Sequence, residues 1–168
     1  MERITRFCPE CWAELPAAEQ AVCPACGASL TEERDFFEKL LRALWHPERT
    51  RAATAAAILG QLGDPRAVPP LIEVALHARN FGVQEAAVRS LGRLRDPRAI
   101  PALALLLRME SPLPVRLAAV EALAAFDDPR AREALRGALN DPSGVVRQAA
   151  REALESRFPP GEPGGGMR

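Results

Sequence analysis

The chain has 168 residues with 22 basic and 22 acidic side chains, so its net charge is zero at pH 7. That balance excludes a broadly basic nucleic-acid coat or a polyanionic tail, though not a local patch. Tyr is absent, aromatics make up 5% and Ala fills 31 positions, a bias against a β-sandwich and toward closely packed helices. Lys39 is the only lysine; codon usage accounts for such an arginine excess, and it carries no functional weight alone. Three of the first six residues are charged, and they lead into Cys8 without an apolar run, so no secretory signal is expected. The longest weakly polar stretches, such as 52–60 and 101–107, fall far short of the roughly 20 residues a bilayer span requires. A soluble, cytoplasmic chain is expected, and a reducing cytosol disfavours disulfides between its cysteines.

Residues 1–31 hold all four cysteines, in the pairs Cys8-Pro9-Glu10-Cys11 and Cys23-Pro24-Ala25-Cys26. They sit in a local duplication: Phe7 to Leu15 matches Val22 to Leu30. Each half reads as a knuckle in which Pro stiffens the turn and backbone N–H groups donate to the first thiolate. Four thiolates from two knuckles suit one tetrahedral, structural Zn²⁺ on Cys8, Cys11, Cys23 and Cys26. So short a segment cannot form a sufficient core alone, and metal binding would supply its folding free energy. The segment resembles a short bacterial zinc ribbon of the Cys-Pro-x-Cys-Gly kind. Gly27 fits that pattern and Trp12 departs from it, because a residue with Cβ is strained where the turn needs a positive φ. The alternatives are a rubredoxin-like iron site, which usually has a longer insert and an aromatic shell, thiol redox chemistry, which needs an absent βαβ context, and disulfides or a vestigial site.

Residues 32–158 are helix-patterned. The first helix is expected over 32–45, with the apolar set Phe36, Phe37, Leu40, Leu41, Leu44 and Trp45. A repeat follows. Asp64-Pro65-Arg66-Ala67 recurs 32 residues later as Asp96-Pro97-Arg98-Ala99 and again as Asp128-Pro129-Arg130-Ala131. Upstream of each corner lies an Ala-rich helix over 51–59, 83–91 and 115–123, with a last copy at 146–154. Each repeat therefore reads as two helices. The Ala pairs permit close approach, Asp caps the second helix and Pro occupies its first turn. The array begins with a half repeat and ends on a first-type helix, giving about eight helices. The segment 159–168, Pro-Pro-Gly-Glu-Pro-Gly-Gly-Gly-Met-Arg, reads as a disordered tail.

The run from Val83 to Leu103, with its Ala-Ala pair, Leu91-Gly92 and Asp96-Pro97-Arg98-Ala99-Ile100-Pro101, resembles HEAT-like repeats of the short bacterial type found in phycobilisome-lyase-related proteins. The resemblance covers about residues 45–157. It implies an all-α fold, a right-handed α-solenoid of HEAT-like hairpins behind the small zinc ribbon, and bridging roles for Arg116 and Arg147 between repeats. Arg66, Arg98 and Arg130 read either as a basic ladder for phosphate or acidic peptide, or as an Asp–Arg ladder between neighbouring repeats. Because Asp recurs with every Arg, the second reading is favoured.

His46 and His77 lie near helix ends, where a cation is favoured. HEAT-like iron oxygenases use repeated His-Glu pairs, and this chain has none. No nucleophile, base and stabiliser come together in the sequence, so no catalytic residue is named and a non-enzymatic chain is expected. The expected function is a protein–protein interaction scaffold, its concave face formed by the second helices and the loops after them. Candidate contacts to a protein or peptide partner are Glu73, His77, Arg98, Ala102, Leu105, Met109, Arg130 and Arg136, with Trp12 on the ribbon. Phe36, Phe37 and Trp45 are expected between the ribbon and the first helices. The alternatives are a nucleic-acid-associated protein, for which clustered positive charge is missing, and a lyase-type accessory enzyme.

Overall fold

A computed structural model of the chain describes residues 6–8, 10–15, 21–30, 35–108 and 110–158. The expected tail at 159–168, the first residues of the expected helix at 32–45 and Met109 lie outside them. A two-residue β-ribbon, β1 (Arg6–Phe7) and β2 (Glu14–Leu15), pairs antiparallel with Arg6 opposite Leu15. Eight α-helices follow: α1 (Phe36–Ala43), α2 (Arg49–Leu62), α3 (Val68–His77), α4 (Phe81–Leu94), α5 (Ile100–Arg108), α6 (Leu113–Leu123), α7 (Pro129–Ala138) and α8 (Gly144–Arg157). None of the described helices is long and apolar enough to cross a membrane.

The Asp-Pro corners form as their chemistry dictates. Asp64, Asp96 and Asp128 each accept from the backbone N–H two residues on, at 2.8, 3.0 and 2.8 Å. In the first two corners a short 3₁₀ turn precedes α3 and α5, whereas Pro129 opens α7 directly. Arg66, Arg98 and Arg130 fold back onto the Asp of their own corner, at 2.6, 2.6 and 2.8 Å. The expected ladder between repeats is thus a set of closed local pairs, because a two-residue offset across the corner already satisfies the guanidinium. Two of the three also reach the preceding repeat: Arg98 donates to the Pro65 carbonyl at 3.0 Å, and the Arg66 guanidinium lies 4.4 Å from the Phe37 ring centroid on α1. Hydrogen bonds from these arginines hold all three carboxyls below the usual aspartate range. α2 ends on Gly63 at φ 72° and α4 on Arg95 at φ 50°, the left-handed cap that glycine adopts without strain.

Helices α2, α4, α6 and α8 stack as one layer, and α1, α3, α5 and α7 form the other. Leu59, Leu71, Leu91, Leu103, Leu123 and Leu135 fill the space between the layers and are fully buried. α2, α4 and α6 approach one another far more closely than α3 and α5 do. The layer with the shorter spacing lies inside any curve of the stack, so the inner side belongs to the first-type helices rather than to the second helices.

Two glycines set the close spacing. A Cβ on Gly60 would stand 2.6 Å from the Ser90 Cβ, and one on Gly92 would stand 2.8 Å from the Ala122 Cα. Ser90 adds a buried bond across the stack, donating to the Ala56 carbonyl at 2.8 Å. In Gly92→Ala the obstructing atom is backbone, so α4 and α6 must separate. Overpacking costs of about 1–3 kcal/mol then outweigh a helix-propensity gain of about 1 kcal/mol. The expected result is a urea midpoint lowered by the equivalent of about 1–2 kcal/mol with an unchanged slope.

Candidate functional site

The two knuckles have the same backbone. Cys8 N–H donates to Ala13 O at 2.9 Å and Trp12 N–H to Cys8 O at 3.0 Å; in the second knuckle Cys23 donates to Ala28 at 2.8 Å and Gly27 to Cys23 at 2.9 Å. This turn drives its closing residue to positive φ, 74° at Gly27 and 59° at Trp12. Trp12 therefore bears the expected strain. Its indole packs edge-on against the His46 ring, with centroids 4.3 Å apart.

The four Sγ atoms lie within 4.8 Å of one another. Cys8–Cys26 and Cys11–Cys23 are each 3.7 Å apart. Bonds of about 2.3 Å to a tetrahedral centre place sulfurs about 3.8 Å apart, so the cluster has the size of a four-thiolate metal site. Glu10 N–H donates to Cys8 Sγ at 3.4 Å. Burial works against the Cys8 thiolate, yet the Cys11 backbone and the neighbouring thiols lower its pKa. At Cys26 the Ala28 backbone bond favours the thiolate, but Cys11, desolvation, Cys23 and Cys8 together push it up to about 12. Four thiols this close do not all ionise on their own, and a divalent cation supplies the charge that lets them. The four cysteines can therefore hold a metal ion.

The ribbon sits on the first helices through His46. Phe7 and Trp12 both meet its ring edge-on, Glu10 pairs with Arg42 on α1, and the Arg51 guanidinium lies 5.9 Å from the Phe7 centroid. His46 is 7% exposed. Its Nδ1 accepts from Glu48 N–H at 2.9 Å, which places the ring proton of the neutral form on Nε2. That Nε2 is buried without a hydrogen-bond partner, a state that costs about 1–3 kcal/mol. Burial, then the charge of Arg51, lower the pKa against the opposing pull of Glu48, so His46 is neutral at pH 7 rather than the helix-end cation expected. Phe37 is buried, while Phe36 and Trp45 remain exposed at 58% and 44%.

The candidate contact residues are spread along the α3–α5–α7 layer. Glu73, His77, Arg98, Leu105, Arg130 and Arg136 are exposed, Ala102 is buried and Trp12 is half-buried. Arg130 lines a groove of about 620 Å³ between α5 and α7, floored by Ala104, Leu107, Pro129, Ala134 and Gly137 and rimmed by Arg108 and Glu133. Arg136 pairs with Glu133 at 3.6 Å on the same rim. The groove residues on α5 escaped notice because Leu107 continues the apolar face that elsewhere fills the core; Gly137, a helical position with no side chain, was the available signal.

A family model for HEAT repeats matches residues 35–119 and also 78–155. The chain belongs to the HEAT-repeat family. Similar solved structures include the complex of CpcE and CpcF of phycocyanin lyase from Nostoc sp. PCC7120, a chain of which is 31% identical at a TM-score of 0.60, covering 73% of this HEAT-repeat chain and 52% of that one. Human deoxyhypusine hydroxylase in complex with glycerol is 32% identical at a TM-score of 0.62, covering 74% and 43%. An engineered protein at 21% identity and a TM-score of 0.50 shares the fold alone. No curated protein matches the sequence. The HEAT-repeat chain thus spans about half the length of the lyase chain and less of the hydroxylase. These relatives overturn the expectation of a non-enzymatic chain, since a lyase and a hydroxylase are both enzymes. The expectation rested on the lack of a nucleophile, base and stabiliser legible in the sequence, and HEAT stacks occur in enzymes and scaffolds alike.

Proposed function

We propose that this HEAT-repeat chain is a protein-binding scaffold that seats a partner polypeptide in the α5–α7 groove. Residues 1–31 act as a cap held by one structural Zn²⁺ on Cys8, Cys11, Cys23 and Cys26, and residues 32–158 form the solenoid. Free thiols of this kind suit a cytoplasmic protein. The groove is the observation that carries the reading: an apolar floor rimmed by Arg108 and Arg130, with the rim carboxylate Glu133 drawn to Arg136, suits an amphipathic segment with an acidic flank. Glu73, His77, Arg98 and Leu105 extend the same layer, and the repeat fold itself serves interaction in many settings.

Gly137→Arg tests this cleanly, because a Cβ at Gly137 meets nothing within 4 Å. The wild-type chain should capture a defined partner from extracts of its native cell. Gly137→Arg should lose that partner at least tenfold with an unchanged melting temperature. Equal capture by both proteins, or none by the wild type, would defeat the groove as the docking site.

A second reading is favoured by the 31% identity to a chain of the lyase complex: the scaffold serves as one subunit of a lyase-type enzyme. In that case the captured partner is a second subunit, and only the pair shows activity.

A further inference from the structure

The stack brings both histidines of the chain to one cleft, separate from the α5–α7 groove. The cleft has a volume of about 500 Å³ and lies between two successive inter-repeat turns. His46 and Arg49 come from the α1–α2 turn; His77, Arg79 and Asn80 come from the end of α3 and the α3–α4 turn. Trp45 and the apolar side chains of Leu44, Ala52 and Val83 complete the wall.

The chemistry of this lining is one-sided. Arg49 and Arg79 are exposed, and among the described residues no carboxylate lines the cleft. Glu48, the nearest acid in the chain, is turned to Arg51 at 2.6 Å and to Thr50 at 2.8 Å. His46 contributes the buried Nε2 that has no partner, with its tautomer fixed by the bond at Nδ1. α2 and α4 begin at this cleft while α1 and α3 end there, so the helix dipoles offset one another and the arginines carry the positive charge. The Asn80 carbonyl is already occupied by Gly82 and Val83 N–H and does not oppose an anion.

We propose that the cleft binds a small organic oxyanion, a phosphate monoester or a carboxylate carried on a flat apolar body. Arg49 and Arg79 hold the charge, His46 Nε2–H and the His77 ring supply further donors, and Trp45 with the aliphatic wall takes the body.

The chain has only two histidines and two tryptophans, so their signals report the site directly. Imidazole NMR and tryptophan fluorescence of the full, metal-loaded chain should be followed while phenyl phosphate, benzoate, inorganic phosphate or benzyl alcohol is added. Phenyl phosphate or benzoate should give saturable shifts of both histidine rings at millimolar concentration or below. The tighter of the two, by tenfold or more, identifies the oxyanion. Inorganic phosphate should bind more weakly for want of a body, and benzyl alcohol should shift neither ring. The double variant Arg49→Ala/Arg79→Ala should lose at least tenfold in affinity, while Arg151→Ala on α8 should lose nothing. Absence of saturable shifts at about 20 mM anion, an order of magnitude weaker than the range of useful small-ligand affinities, would overturn the proposal. So would equal shifts with benzyl alcohol, or undiminished binding by the double variant. The wild-type arms decide the matter even if the double variant does not fold.

Discussion

Chelation is expected to melt the segment around Cys8–Cys26 and to leave most of the helical signal in place. Among the described residues the ribbon has two-residue strands and two buried cysteines for a core of its own, so a bound metal would be its main internal support. Structural zinc sites contribute on the order of 10 kcal/mol to the folding of such units. α1 to α8, by contrast, share one continuous buried cluster from Phe37 to Ala153 that contains none of the cysteines. The purified chain should carry about one zinc, matching its single four-thiolate cluster. Its loss should appear as a change in tryptophan emission, because Trp12 leaves His46, with far-UV circular dichroism nearly unchanged. Cys8→Ser and Cys26→Ser should reproduce that pattern. A chain that contains no metal after purification without chelator would defeat the site. Collapse of helicity on chelation would show that the ribbon is an integral part of the solenoid rather than a cap on it.

Asp141→Ala should cost the solenoid about 3 kcal/mol. The Asp141 carboxylate is 2% exposed and accepts from Arg116 at 2.8 and 3.0 Å and from Ser143 N–H at 2.8 Å. Arg116 lies in the first turn of α6 and Asp141 sits between α7 and α8, so the pair ties one repeat to the next. Removing the carboxylate strands a guanidinium that is 14% exposed and frees the turn before α8. Calorimetry or denaturant titration at pH 7 measures the loss. Arg116→Ala should come close to it, and the two should be far from additive in the double variant.

The same carboxyl gives the solenoid an acid limit. Burial alone would raise its pKa, but the Arg116 hydrogen bonds, the Ser143 N–H and the charges of Arg116 and Arg147 prevail and lower it. A depressed folded-state pKa means a contribution fully present above the unfolded value of about 3.9 and lost as pH falls through the folded value. Stability of the wild type should therefore drop below about pH 4 more steeply than that of Asp141→Asn, as thermal melts across that range would show.

Much of this architecture could be read from periodicity. The 32-residue spacing of Asp-Pro located α3, α5 and α7, and the Ala pairs located the helices between them. The four thiols were legible because Cys-x-x-Cys spacing is itself a geometric constraint. Partners across the fold were harder. Asp141 looked like one more turn residue, since nothing local distinguishes a carboxylate that caps its own turn from one that also receives an arginine 25 residues away. Arg147 was expected to bridge repeats as Arg116 does. Instead it donates to the Asp141 and Pro142 carbonyls of its own turn. Arg66, Arg98 and Arg130 were matched with the correct acids, but the closing distance was within each corner rather than between corners. The cleft containing His46 and His77 was invisible for a different reason. The two residues are nearly one repeat apart, and only stacking puts them side by side.

The nearest-neighbour stacking of α2, α4, α6 and α8 also bears on how the chain is made. The substantial contacts join each helix pair to the pair before and the pair after, and none needs the two ends of the chain to meet. Folding can then run vectorially: each hairpin docks on its predecessor as it leaves the ribosome, without waiting for the C-terminus. Whole repeats could be inserted or deleted on the same principle, provided Gly60, Gly92 and their small partners stay in register, making the length of this scaffold an evolvable quantity.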